Sequence, residues 1–259
     1  METITSRTNP LCAHFRKLAS SRPYREETGE FLCDSPKLLG EAQLWGADIK
    51  ALLYTEGVEL PVPAENAACR VVKVSESVMK AVSPMETPQG VVFSCGFAKD
   101  CFPKRLEPDA GGRMRFLVLD GVQDPGNVGT ILRAADAFGA RPILLPGCAD
   151  VYNPKTVRAG MGVHFRLPIR RCTLPELADL LKAADLPLYG AALRADTQDV
   201  REVDLSRCAI VIGSEGRGIS QETLALCDRT VRIPMEERCE SLNAAAAAAV
   251  ILWEAARRN

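Results

Sequence analysis

Three short stretches hold the residues of this sequence that could do chemistry. The first, LDGVQDPGNVGTILR at 119–133, leaves an apolar run at Asp120-Gly121 and passes through Pro125-Gly126 to Asn127 and Arg133. Proline, glycine and asparagine in that order read as a turn feeding a helix, with Asn127 at its N-cap. Arg133 then falls within about two turns of the helix start, beside Gly129 and Thr130. A guanidinium on an otherwise apolar helix needs an anionic partner, or else it is an ordinary solvated arginine. The second stretch, AIVIGSEGRGISQETL at 209–224, ends an apolar run in Gly213-Ser214-Glu215-Gly216-Arg217-Gly218. Its glycines let backbone approach a ligand, and Glu215 could accept from ligand hydroxyls or pair with Arg133. A tight turn carrying a solvated glutamate is the plainer alternative. The third, RIPMEERCESLN at 232–243, breaks a strand at Pro234 and delivers Ser241 and Asn243 to the start of the last helix. Either could cap that helix, and both offer hydrogen-bonding groups at its positive end.

Other chemistries are set aside by what is missing. The glycine order is G-x-x-G-x-G, not the G-x-G-x-x-G of a dinucleotide loop, and no G-x-x-x-x-G-K-[ST] occurs. His14 and His164 are the only histidines, and the ten cysteines include no C-x-x-C pair, so no metal-ligand cluster is visible. Scattered cysteines of this kind read as free thiols of a reducing compartment.

The elements that must position these loops follow a regular rhythm. From residue 114 onward, strands such as RFLVLDGV, RPILLP, LPLYGAAL, CAIVIG and TVRIP alternate with helices such as PGNVGTILRAADAFGA, LPELADLLKAAD and SQETLALCD. In the first of those helices Ile131, Leu132, Ala135 and Phe138 fall on one side. Continuous apolar strands alternating with helices predict an α/β fold with a mostly parallel sheet covered on both faces. Ligands of such sheets gather at the carboxyl ends of the strands, where the three loops lie. Upstream, GEFLC, IKALLYT, CRVVKVS and GVVFSCGF read as strands, and PKLLGEAQLWG and ESVMKAVS as helices. The segment 101–116, with Pro103, Pro108, Gly111 and Gly112, separates two domains, placed at 1–107 and 114–259.

Composition is that of a globular protein: 47% of the 259 residues are hydrophobic and 25% charged, at a net charge of −1. No apolar run is long enough for a membrane span and the N-terminus has no signal core, so a cytoplasmic location is expected. The charge is uneven. Residues 1–25 carry Arg7, Arg16, Lys17, Arg22 and Arg25 against Glu2, and residues 155–171 carry Lys155, Arg158, Arg166, Arg170 and Arg171 with no acid. Such islands suit phosphate contacts, or a solvated face balanced elsewhere.

Taken together, Asn127-x-Gly129-x-Ile131-x-Arg133, Gly213-Ser214-Glu215-Gly216-x-Gly218 and Ile233-Pro234-Met235…Ser241-Leu242-Asn243 resemble the three motifs of the SpoU/TrmH family of RNA 2′-O-ribose methyltransferases, in the family's order. The resemblance spans about 114–257, and VRAGMGVHFRLPI at 157–169 is similar to a further family stretch. SRTNP, HFRKL, YREETGEFL and KLLGEA resemble the family's N-terminal L30e-like RNA-binding domain, although Asp34-Ser35-Pro36 stands where the family usually has Glu-Gly. The resemblance implies a C-terminal trefoil knot that holds S-adenosylmethionine on Gly213, Ile233 and Leu242, with Leu193 and Met235 as further lining. It implies methyl transfer to an RNA ribose 2′-hydroxyl. Arg133 acts there as proton acceptor or as electrostatic clamp, and Asn127, Glu215, Ser241 and Asn243 organise the site. Arg7, Arg16, Lys17, Arg158 and Arg166 become candidate RNA contacts. A homodimer through the catalytic domain is implied, with no metal and no membrane partner. Ribosomal RNA is favoured over transfer RNA, and a non-catalytic RNA-binding protein that keeps the fold is the alternative from another class. Ala244–Ala249, six alanines after Asn243, are expected to let this helix pack closely on the knot or on a partner subunit.

Overall fold

Capping residues set the helices of the first third of the chain. After strand β1 (Glu2–Ile4), Asn9 caps α1 (Pro10–Ser20) and Ser21 caps α2 (Arg22–Thr28), each followed by proline in the first turn. Gly29, at φ 65°, takes the left-handed conformation that ends α2 and releases β2 (Glu30–Cys33). Ser35 then accepts from the Leu38 amide and Pro36 opens α3 (Pro36–Leu44). Strands β3 (Ile49–Tyr54) and β4 (Arg70–Val74), helix α4 (Glu76–Val82) and strand β5 (Val91–Gly96) follow. The five strands form one sheet in the order β1-β4-β3-β5-β2, with β5 antiparallel to both neighbours and the other pairs parallel. Alternate residues bury on opposite faces, as the pleat requires. Leu53 and Val72 join Phe15, Leu18 and Met79 on one side, and Leu52 joins Phe31, Leu39 and Phe93 on the other.

The remaining elements are β6 (Met114–Asp120), α5 (Pro125–Ala137), β7 (Arg141–Leu144), α6 (Pro154–Gly160), a short 3-10 turn (Val163–Phe165), β8 (Arg170–Arg171) and α7 (Leu174–Ala184). They are followed by β9 (Leu188–Ala191), β10 (Gln198–Asp199), β11 (Arg207–Gly213), α8 (Gln221–Leu226), β12 (Arg229–Arg232) and α9 (Ala244–Arg257). Seven strands make a wholly parallel sheet in the order β10-β12-β9-β11-β6-β7-β8. Its central strands β11 and β6 are buried almost end to end, which explains their unbroken apolar sequence. Helix α9 packs on α5 and β11. The short β1, β10 and α2 offer too few residues to show a period, whereas α1 carries a helical one, with Cys12, Phe15 and Leu18 buried on one side.

This computed structural model describes residues 2–60, 69–98, 102–109 and 111–257. The chain divides into two compact units, Met1–Lys99 with Asp150–Arg166, and Asp100–Ala149 with Leu167–Asn259. The first unit thus takes in a stretch from beyond the midpoint of the chain. Arg25, 3% exposed, binds that stretch through Nε and Nη2 to Asp150 Oδ2 at 3.0 and 2.7 Å, while its Nη1 donates to the Leu18 carbonyl. Tyr152 stacks on Phe97 with ring centroids 4.0 Å apart and lies against Phe31. Val157 is buried in the same cluster.

Candidate functional site

Strands β6 and β11 are neighbours in register, with Asp120 opposite Gly213, so the loops that leave their carboxyl ends start side by side. In the first loop Asp124, not Asn127, is the helix cap: its side chain accepts from the Asn127 amide at 2.8 Å, with Pro125 opening the helix. Asn127 therefore lies inside the first turn, and its side chain is released for other bonds. Its Nδ2 donates to Glu215 Oε1 at 2.7 Å, and its Oδ1 accepts from Asn243 Nδ2 at 3.1 Å.

Glu215 is held on a tight turn. The Ser214 amide donates to the Gly218 carbonyl and the Gly218 amide to the Ser214 carbonyl, both at 2.9 Å. Gly213 has no alternative here, because a Cβ would stand 2.2 Å from the Gly218 carbonyl carbon. The Gln123 amide donates to the second Glu215 oxygen at 3.4 Å. Partial burial alone would raise the Glu215 carboxyl, but the hydrogen bond from Asn127 and the backbone amides around it outweigh burial and hold it below the usual carboxylate range. Glu215 is thus a fixed anion engaged by Asn127, and it does not pair with Arg133.

Asn243 closes the arrangement. Its Oδ1 accepts from the Ala245 and Ala246 amides at 2.9 and 3.3 Å, which makes it the cap of α9, and its Nδ2 reaches Asn127. One run of hydrogen bonds therefore ties the start of α9, the first turn of α5 and the Ser214–Gly218 turn together. Ser241 is exposed and leaves the cap to Asn243. Arg133 stands on the exposed side of α5, opposite buried Val128, Ile131, Leu132 and Ala135. Among the described residues it makes no ion pair or hydrogen bond, so its five donors are available to an incoming anion.

Beside this cluster, at the carboxyl ends of β9 and β12, lies an apolar cavity of about 210 Å³. Leu193, Ile233, Met235 and Leu242 line it, and Ala247 of α9 contributes to one wall. Leu193 is 71% exposed, and Met235 and Leu242 are exposed as well, an arrangement that leaves apolar surface for a flat apolar ligand. Gly213 does not line the cavity, and its structural part is the turn that carries Glu215. Arg232 and Glu240, which the sequence reading did not single out, also line it. Nothing in their spacing could have revealed this, since the eleven-residue loop 233–243 brings them to one cavity.

The candidate RNA contacts fall in the first unit. Arg7 and Lys17 are exposed; Arg7 donates to the Ser77 carbonyl, Arg16 to the Arg7 carbonyl, and Lys17 lies over the Tyr24 ring. Arg158 and Arg166 are differently placed. Arg158 binds buried Asp34 through Nε and Nη2, and Arg166 binds Glu41 at 3.0 Å. Asp34-Ser35-Pro36 thereby acquires a local meaning: an arginine partner, a helix cap and a first-turn proline. The described cysteines are free thiols, and burial pushes Cys148 and Cys227 up to about 11 and Cys208 up to about 12. Among the described residues no cluster of His, Cys, Asp or Glu could hold a metal ion, and no helix is long and apolar enough to cross a membrane.

Comparison with known proteins gives the same outline. Residues 114–253 match the model of the SpoU rRNA Methylase family, and residues 9–92 match an MRM3-like substrate binding domain. The chain is 32% identical to the 23S rRNA (guanosine(2553)-2′-O)-methyltransferase RlmP of Bacillus subtilis (strain 168), over 98% of each chain. It is 34% identical to a 23S rRNA (uridine(2479)-2′-O)-methyltransferase of Streptomyces viridochromogenes, over 98% of this chain and 92% of that one. In structure it is similar to an AdoMet-bound rRNA methyltransferase from Sinorhizobium meliloti, with a TM-score of 0.87 and 33% identity over 99% and 98% of the two chains.

Proposed function

The chain belongs to the SpoU rRNA methylase family, and from that premise we propose that it transfers a methyl group from S-adenosylmethionine to a ribose 2′-hydroxyl of ribosomal RNA. One observation carries the reading. The Asn243–Asn127–Glu215 hydrogen bonds join all three loops beside an apolar cavity, and leave Arg133 free on the exposed side of α5. The residues present fit the cofactor: an apolar slot for a flat base, and an adjoining positive and negative side chain for a charged tail. Ile233, Leu242, Leu193 and Met235 would hold the adenosine. When bound, S-adenosylmethionine supplies the electrophilic methyl.

The protein's contribution is position and charge. Asn127, Glu215 and Asn243 fix one another, so the loops that meet the ribose are held before substrate arrives. Exposed Ser241 stands on the same lip and is available to the substrate. Arg133 meets the RNA as a planar cation. A guanidinium keeps its proton and has no acceptor lone pair, which makes the clamp role better founded than that of a base. It holds a phosphate and stabilises the oxyanion that develops as the hydroxyl proton passes to water. Arg7, Arg16 and Lys17 supply phosphate contacts from the first unit. Arg158 and Arg166, already bonded to Asp34 and Glu41, are assigned instead to holding their segment in place. The family's trefoil knot, the L30e-like character of the first unit, a homodimer across the exposed Ala246, Val250 and Trp253 of α9, and a cytoplasmic place of action belong to the same proposal.

Labelled methyl transfer to ribosomal and transfer RNA, followed by mapping of 2′-O-methyl nucleotides, tests it. Label is expected in ribosomal RNA, and Arg133→Lys is expected to lower turnover at least about 100-fold, because the fork is lost. Label in transfer RNA alone would redirect the substrate, and an undiminished Lys variant would remove Arg133 from the mechanism.

A further inference from the structure

The apolar cavity beside the site is lined by two charged side chains of opposite sign. Arg232 ends strand β12, and Glu240 lies in the loop that returns toward α9. Of the four charged residues between 236 and 240, only Glu240 lines the cavity. Both residues are exposed, and among the described residues neither side chain makes a hydrogen bond or an ion pair, with the other or with anything else. Arg232 acts electrostatically on Asp199, a carboxylate that Arg201 already holds at 2.6 Å. Most other arginines of this unit are committed: Arg113, Arg201 and Arg257 to acids, and Arg115, Arg141 and Arg207 to carbonyls. An arginine and a glutamate that share one small apolar cavity without neutralising each other are therefore unusual in this molecule.

A neutral base has no use for such a pair, and a singly charged ligand would meet repulsion from one of them. A zwitterion with its charges a few bonds apart satisfies both. We propose that Arg232 and Glu240 form the subsite for the zwitterionic amino-acid tail of S-adenosylmethionine. Arg232 receives the α-carboxylate, for which its planar fork is suited, and Glu240 receives the α-ammonium. The inference rests on the methyltransferase reading and adds two specificity residues to it. It also assigns recognition to the tail rather than to the sulfonium, so the demethylated product keeps these contacts.

Calorimetric binding of three ligands by the whole protein tests this without turnover: S-adenosylmethionine, S-adenosylhomocysteine, which keeps the tail, and 5′-methylthioadenosine, which lacks it. Arg232→Met and Glu240→Gln are expected to weaken the first two by a similar factor, roughly three- to tenfold each, and to leave 5′-methylthioadenosine unchanged. Both positions are exposed, so folding is not at stake. Equal losses for all three ligands would mean that the pair serves the adenosine, and no loss for any would mean that it serves no ligand here. A loss confined to S-adenosylmethionine would mean that Glu240 reads the sulfonium. Each of these results overturns the tail subsite. Wild-type protein that binds none of the three would overturn the methyltransferase reading itself.

Discussion

Asn127 uses both halves of its amide, one as donor to Glu215 and one as acceptor from Asn243, and no other side chain of its size can do both in that direction. Asn127→Asp keeps the shape, loses the donor and sets a second carboxylate against Glu215. We expect about 1 kcal/mol of stability to be lost in denaturant titration, with a larger fall in kcat/KM than that figure alone accounts for, because three loops lose their common tie. A variant that keeps wild-type kcat/KM would reduce the bond run to decoration. The identities of Asn127, Arg133, Glu215 and Asn243 were legible in the sequence, but their partners were not. Asn127 reads as a cap because Pro-Gly-Asn looks like a turn, whereas the Asp-Pro pair one step earlier is the stronger helix-start signal and takes the cap. Glu215 was open between a ligand, Arg133 and solvent, and only a three-dimensional path through Asn127 decides it.

Helix α9 resolves its alanines into separate tasks. Ala244, Ala245 and Ala248 are buried and let the helix lie close on α5 and β11, Ala247 lines the cavity, and Ala246 is exposed. A single six-residue run therefore predicts unequal outcomes. Ala248→Phe should overpack the interior and cost about 1–3 kcal/mol by thermal or chemical denaturation. Ala247→Phe should narrow the cavity and weaken S-adenosylmethionine binding while stability falls by less than about 1 kcal/mol. Equal stability losses at the two positions would refute this division. The presence of α9, β6, β11 and the other long elements was legible because apolar periodicity is strong over such lengths. The two-residue strand β10 owes its existence to neighbours in the sheet, and residue type at two positions cannot announce that.

At the scale of the molecule, the stretch Asp150–Arg166 belongs to the first unit although a long piece of the second precedes it. Local sequence reading draws continuous boundaries, because a return of the chain leaves no trace in composition. The stretch is secured by a buried ion pair and by His164, whose Nε2 donates to the Val151 carbonyl at 2.7 Å while its Nδ1 stays buried without a partner. Burial lowers this imidazole to about 4. Its neutral form is therefore favoured by folding: the stabilisation is complete above an unfolded-state value near 6.5 and is lost as pH falls toward 4. Urea titrations at pH 7 and pH 5 should differ by about 2 kcal/mol from this group, and His164→Gln should remove that share of the difference. An unchanged pH dependence in the variant would show that His164 is already protonated or exposed.

The Arg25–Asp150 pair has a consequence for exchanging parts between relatives. A cassette cut as one continuous piece, with residues 1–99 from one homologue and the remainder from another, would separate this arginine from the aspartate with which it is matched. Splitting a buried pair costs about 3–5 kcal/mol. A graft intended to transfer substrate choice should therefore be made with two cuts more, so that 150–166 travels with the amino-terminal piece.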